Sequence, residues 1–202
     1  MMSSKYLHFD ASTSVESWHP INDTVMGGRS SSQFRYHPDG YAVFQGVVSL
    51  ENSGGFASVR TTTNVLAGQE IQGYRMLLKG DGKHYKLNLR QDTAFDGVHY
   101  QAEFETISDQ WVEIYLPLSA FMPRYRGQNV PDAPHLDCSQ VCQIGLMIAG
   151  QQGSGSFCVA IRYIETTSIN LQKQIVTFPL RQKCHSIPWS ALVIAYLPFG
   201  SV

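Results

Sequence analysis

Apolar residues in this chain recur at alternate positions over short stretches broken by glycine and proline. Nowhere do they hold the three-and-four spacing of an amphipathic helix. The alternation predicts strands over residues 41–50, 56–62, 73–78, 85–91, 98–106, 111–116, 141–149 and 157–164. Asn52-Ser53-Gly54-Gly55 and Gly80-Asp81-Gly82 have turn chemistry, so residues 41–50 and 56–62 are expected to form one hairpin and residues 73–78 and 85–91 another. Pro117 stops a strand, and residues 121–138, with Pro123, Pro131 and Pro134, read as a crossing loop. About nine short strands in one unit suit an all-β jelly-roll sandwich. After Ile169 the pattern changes: residues 171–202 hold Pro179, Pro188 and Pro198 and an uncharged greasy run at 189–199. The expected division is therefore a domain over 1–170 and an apolar tail over 171–202. The greasy run is shorter than the ~20 residues that cross a bilayer, so no transmembrane segment is predicted.

The polar faces of the strands carry the candidate chemistry. Ser58 and Arg60 share a face opposite Ala57 and Val59, and Lys86, Asn88 and Arg90 share one opposite Leu87 and Leu89. Gln101, Glu103 and Glu105 lie opposite Ala102 and Phe104, and Trp111, Glu113 and Tyr115 lie opposite Val112, Ile114 and Leu116. If these strands are neighbours, one sheet presents arginines, amides, carboxylates and two aromatics together. Such a face suits sugar recognition by stacking and hydrogen bonding, or a protein partner held on aromatic and arginine anchors; the alternative is an ordinary solvated face. Arg60 and Arg90 are expected to cost little stability when truncated, since alternation places both on the polar side.

Composition narrows the class. Lysine and arginine total 15 against 16 acids, giving a formal charge of −1, so no basic field is present to attract nucleic acid or anionic lipid. The first nine residues carry one lysine and no apolar run, which gives no leader pattern and sets a cytoplasmic product as the expectation. Cys138, Cys142, Cys158 and Cys184 then read as free thiols.

Recognised reaction chemistry is missing from the strings. The seven histidines never fall at i, i+4, and Cys138-x-x-x-Cys142 has no second pair, so no metal site is expected. No nucleophile elbow, phosphate loop or dinucleotide fingerprint occurs, and no cofactor is expected. Glu103 and Glu105 project from one face roughly 7 Å apart, within glycosidase range, yet strand alternation produces such pairs constantly. No catalytic residue is assigned. Asp81, between two glycines, reads as a turn residue.

One long string stands out: Trp18-x-x-x-Asn22-Asp23-Thr24-Val25-Met26-Gly27-Gly28-x-Ser30, followed by Gly54-Gly55-Phe56-Ala57-Ser58-Val59-Arg60. Further strings follow in order: Lys79-Gly80-Asp81-Gly82-Lys83-x-Tyr85, Arg90, Tyr100-Gln101-x-x-Phe104, Trp111, Leu116-Pro117-x-x-x-Phe121, Arg126-Gly127 and residues 144–148. Together they resemble the family of complex I intermediate-associated protein 30 over residues 9 to 165. The resemblance implies a jelly-roll sandwich similar to galactose-binding-like domains and some carbohydrate-binding modules, with no established catalytic residues. It also implies an assembly factor or chaperone-like partner for subunits of the respiratory NADH:ubiquinone oxidoreductase. The long N-terminal extension of the mitochondrial members is not seen in this chain. Trp18 and Met26 are expected to anchor the first loop by packing, and Asn22 and Asp23 to cap it. The functional alternative places Asp23 and Arg29 with Arg60, Arg90, Gln101, Glu103 and Trp111 in one recognition patch for a protein partner or a sugar-like ligand.

Overall fold

The computed structural model describes residues 5–168 together with Val176 and Thr177. Two antiparallel sheets of seven strands face each other, and no α-helix occurs among the described residues, only short 3-10 turns. The strands are β1 (Tyr6–His8), β2 (His19–Pro20), β3 (Ser31–His37), β4 (Tyr41–Val48), β5 (Phe56–Thr62), β6 (Gly73–Lys79) and β7 (His84–Arg90). They continue with β8 (His99–Glu105), β9 (Trp111–Pro117), β10 (Met122–Tyr125), β11 (Gln128–Asn129), β12 (Gln143–Ala149), β13 (Gly155–Thr167) and β14 (Val176–Thr177). One sheet runs β14-β9-β6-β13-β4-β3, with β1 also paired to β13; the other runs β11-β10-β8-β7-β12-β5-β2. The architecture is a jelly-roll β-sandwich.

Alternation builds the core between the sheets. Val59, Leu87, Leu89, Ala102, Leu146 and Ile148 from one sheet and Phe44, Met76, Leu78, Val159, Ile161 and Ile164 from the other are all fully buried. Each of these side chains other than Ala102 contributes roughly 1.5–3 kcal/mol by leaving water. The long strand β13 keeps its apolar side inward through a register shift between Ile161 and Tyr163. Two buried isoleucines three residues apart result, with Arg162 and Tyr163 left to the outside.

Two expected hairpins are corrected by this topology. β4 pairs with β3 and β13 while β5 pairs with β12 and β2, so the 49–55 turn carries the chain from one sheet to the other. The turn after β6 does the same, since β6 lies between β9 and β13 and β7 between β8 and β12. Tertiary contacts set the glycines in both turns. A Cβ on Gly54 would stand 2.6 Å from Asp23 Oδ2, and one on Gly80 would stand 2.3 Å from Thr106 Oγ1. Asp81 serves the second crossing as a turn residue, accepting from the Lys83 amide at 3.1 Å, Tyr85 Oη at 3.0 Å and the Cys158 amide at 3.0 Å. Lys83 Nζ donates to the carbonyls of Ser154 and Ser156 at 2.7 and 2.8 Å, so the Gly-Asp-Gly-Lys string is structural. The expected crossing loop contains the β10–β11 pair. The tail expectation for residues 171–202 lies outside the described residues except at β14, where Val176 and Thr177 pair with Glu113 and Val112 of β9.

Candidate functional site

The first recognisable string folds into a clamp. Asp23 is completely buried, and its carboxylate accepts the Ser30 amide at 2.9 Å, the Ser30 hydroxyl at 2.5 Å, the Gly55 amide at 2.7 Å and the Phe56 amide at 3.2 Å. Burial pushes the carboxyl upward, but the Ser30 hydroxyl and the three amides outweigh it and hold Asp23 below its ordinary value. Gly28 is needed because a Cβ there would lie 2.4 Å from Asp23 Cγ. Asn22 Oδ1 accepts from Ser32 Oγ at 2.7 Å and from the Ser58 amide at 3.1 Å, tying β3 to β5. Trp18 packs with Phe34 and Phe9 at centroid distances of 4.5 and 5.9 Å. The expectation that Met26 packs inward is overturned: it is 65% exposed, next to Val25 at 60%. The 3-10 turn Asp23–Met26 aims its acid inward and its last two side chains outward.

Those two side chains form the lip of a trough of about 820 Å³ across the outer face of the second sheet. Its floor is β5, β12, β7 and β8, in register through Arg60, Gly145, Asn88 and Gln101 in one row and Ser58, Met147, Lys86 and Glu103 in the next. Gly145 keeps the middle of the floor low, since a Cβ there would stand 2.8 Å from the Val59 carbonyl. Gln101 donates to Asn88 Oδ1 at 2.9 Å, and Lys86 pairs with Glu103 at 3.1 Å. Val25, Met26, Leu50 and Phe56 line one end; Arg60, Arg90, Phe95, His99, Arg124 and Arg126 line the other.

At that second end cations outnumber acids. Arg60 Nη2 and Arg90 Nη1 both donate to the Phe95 carbonyl, at 3.2 and 3.4 Å, so two guanidinium groups converge on one oxygen. The Phe95 ring, 66% exposed, covers Arg60 with its centroid 5.6 Å from the guanidinium carbon. Arg90 pairs with Asp92 at 3.1 Å and Arg126 with Asp96 at 2.5 Å, whereas Arg60 and Arg124 have no carboxylate partner among the described residues. Burial, then Arg90, lowers the pKa of Arg60. Burial, with Arg90 next and Arg60 and Arg124 adding to it, holds His99 below its ordinary value against the Gly97 backbone bond. Among the described residues, three buried side-chain atoms lack a hydrogen-bond partner: Arg90 Nε, Arg124 Nε and Gln143 Oε1. Gln143 stands in register with Arg90, so all three belong to this end of the sheet.

The structure thus brings Arg60, Arg90, Gln101 and Glu103 together and separates the other three candidates. Asp23 is sealed inside the clamp. Arg29 lies outside the trough, two-thirds exposed, and pairs with Glu51 at 3.0 Å. Trp111 belongs to the other sheet, because β9 pairs with β6 and not with β8. Its ring there meets Arg162 at 4.9 Å and Tyr41 at 5.4 Å. Arg90 also departs from expectation: it is 5% exposed, covered by the loop that follows β7, so it is not an ordinary solvated residue. Glu105 points to solvent, 3.9 Å from His84. Sequence reasoning missed Phe95, His99 and Arg124, and missed the lip at Val25, Met26 and Leu50. No group of three or more metal-ligating side chains occurs among the described residues, and no described helix is long and apolar enough to cross a membrane.

Comparison with known proteins agrees with this geometry at two levels. The fold is that of carbohydrate-binding modules with a galactose-binding-like jelly roll. A family 11 module of Clostridium thermocellum, solved with a β-1,3-1,4-mixed-linked tetrasaccharide, superposes with a TM-score of 0.59 at 18% identity, covering 81% of this chain and 94% of that one. The family 11 module of the cellulosomal cellulase Lic26A-Cel5E from the same organism gives a TM-score of 0.61 at 16% identity, covering 82% and 95%. An uncharacterized protein of Schizosaccharomyces pombe is 29% identical over 157 residues, 66% of this chain and 71% of that protein. Residues 7–161, which hold the clamp, both sheet crossings and the trough, match the profile of one family, and the chain belongs to it: complex I intermediate-associated protein 30.

Proposed function

We propose that this chain is a non-enzymatic binding protein that takes a segment of a protein partner in the trough, as an assembly factor or chaperone-like partner of a multi-subunit complex. The observation that carries this reading is the lip. Val25, Met26 and Leu50 are 60, 65 and 48% exposed beside a floor of arginines and amides, a mixture of apolar and arginine anchors that fits protein interfaces. Family membership supports the same reading and names the class of complex, the intermediates of respiratory complex I. Glu103 and Glu105, the one carboxylate pair considered for catalysis, are more than half exposed and face Lys86 and His84, which favours binding over reaction.

The test is affinity capture from the native cell with the full chain and with a Val25→Glu/Met26→Glu variant of unchanged melting temperature. Recovery of subunits of one defined complex by the parent and their loss in the variant is the expected result. Equal recovery by both, or none by either, overturns it. A second reading, recognition of a sugar, is favoured by the polar floor residues Arg60, Asn88, Gln101 and Glu103 and by the fold shared with a tetrasaccharide-binding module. Against it, the aromatic rings that line the trough among the described residues are those of Phe56, Phe95 and His99, and Phe95 is occupied by Arg60. Tight binding to a defined oligosaccharide on a glycan array, abolished by Asn88→Ala, would replace the first reading with this one.

A further inference from the structure

We infer that the cationic end of the trough is an oxyanion seat, formed by Arg60, Arg90 and Arg124 around His99, and that it takes a carboxylate carried by an extended acidic segment of the partner. The inference rests on the protein-binding reading and sharpens it. Four arginines meet two aspartates there, and both aspartates are already engaged. Holding the two guanidinium groups of Arg60 and Arg90 against one neutral carbonyl oxygen is unfavourable in a partly desolvated place, and an arriving carboxylate removes that cost. Arginine suits the task because its planar fork binds a carboxylate through two parallel bonds. Arg60 is the group best placed to supply such a fork, with no acid of its own. Glu103 and Lys86 neutralise each other one row away, so the field at the arginine end is not cancelled from the floor.

The spacing adds a second element. Phe56, beside the apolar lip, and Arg60, at the seat, are separated by four residues of β5, about 13 Å at strand rise. An extended ligand lying along β5 would therefore meet the lip with an apolar side chain and the seat with an acidic one four positions away.

Titration calorimetry at low ionic strength tests this with short blocked peptides carrying one Glu and one Leu four positions apart, in both orders, beside versions with Gln for Glu. One peptide order should bind about ten-fold more tightly with Glu than with Gln, a difference of roughly 1.4 kcal/mol. The preference should shrink with added salt and vanish in Arg60→Gln and Arg124→Gln chains that melt as the parent does. Equal affinity for the Glu and Gln peptides would overturn the oxyanion seat and leave the protein-binding trough standing. Failure of all peptides, while Val25→Glu/Met26→Glu still abolishes capture of the complex, would likewise overturn the acidic segment alone. Inorganic phosphate competing for the arginines with no peptide bound would assign the seat to a free anion and overturn the segment.

Discussion

Two buried charges lie at opposite ends of β5 and are treated differently by the fold. Asp23, at its start, has four donors filling its carboxylate and no contact with solvent. Arg90, on β7 and level with its far end across β12, has two acceptors, an Nε with none, and a second guanidinium on the same carbonyl oxygen. A charge whose capacity is filled from within the chain holds structure together. One left short of counter-charge, in the wall of a trough, has interaction free energy to give to a ligand. The difference teaches which of the recognisable strings make the fold and which residues are free to bind.

The comparison breaks most sharply at Asp23. Asp23→Ala leaves the Ser30, Gly55 and Phe56 amides without their acceptor and should cost about 3 kcal/mol or more, read from urea unfolding. A loss under about 1 kcal/mol would mean that water replaces the carboxylate and that the clamp is not a stability element. The acid limb sharpens the same point. Because the folded-state pKa of Asp23 is depressed, its contribution is present above the unfolded value of 3.8 and is lost as pH falls through the folded one. The Asp23→Ala chain should therefore lose less further stability than the parent below pH 3.8.

The neighbouring glycines give the next largest effect and separate packing from backbone conformation. Gly28→Ala drives a methyl to 2.4 Å from the Asp23 carboxyl carbon, and overpacking of that kind costs about 1–3 kcal/mol. Gly27→Ala meets nothing within 4 Å but sits at φ +89°, which costs about 1 kcal/mol through backbone conformation alone. Thermal melts of the two variants should rank in that order. The reverse ranking would show that the loop moves away from Asp23 at little cost.

This contrast also explains what could be read from the sequence. Strand positions were legible because a residue alternates inward and outward regardless of which strand pairs beside it. The placement of Ser58, Arg60, Lys86, Asn88, Gln101 and Glu103 on one face followed, and β12 turns out to join β5 to β7. Sheet membership was not legible. Gly54-Gly55 and Gly80-Asp81-Gly82 have the same local chemistry whether the chain returns beside itself or crosses the sandwich, and the deciding contacts come from Asp23 and Thr106, distant in sequence. Trp111 was misplaced for that reason alone. The arginine end was partly hidden because Phe95 sits in a loop and Arg124 in a four-residue strand containing Pro123, neither with a period to detect. Val25 and Met26 were masked by their string, whose Trp18, Asp23 and Ser30 do face inward.

Arg90 stands between the two regimes. Arg90→Ala removes bonds to Asp92 and the Phe95 carbonyl and empties a buried space, yet it also relieves repulsion with Arg60. A net loss of about 1–2 kcal/mol is expected, with faster amide exchange across residues 92–97. No change in either would show that the loop closes without its arginine.

The smallest stability effect belongs to Arg60, and its pH signature makes it the finest test. Arg60→Gln should stay within about 0.5 kcal/mol of the parent at neutral pH, because the partly exposed side chain loses one carbonyl bond and one ring contact while Arg90 loses a like-charged neighbour. His99 faces Arg60 from β5, Arg90 from β7 and Arg124 from β10, with Asp92 and Asp96 in the covering loop, and its folded-state pKa lies below the ordinary 6.5. The unfolded chain therefore binds more protons than the folded one just below that value, and stability falls as pH drops through it. Removing the Arg60 charge raises the pKa of His99 toward 6.5 and lessens that fall. An imidazole resonance that titrates at the same pH in parent and variant would show that Arg60 and His99 do not share a field, and the seat would lose the group that defines its edge.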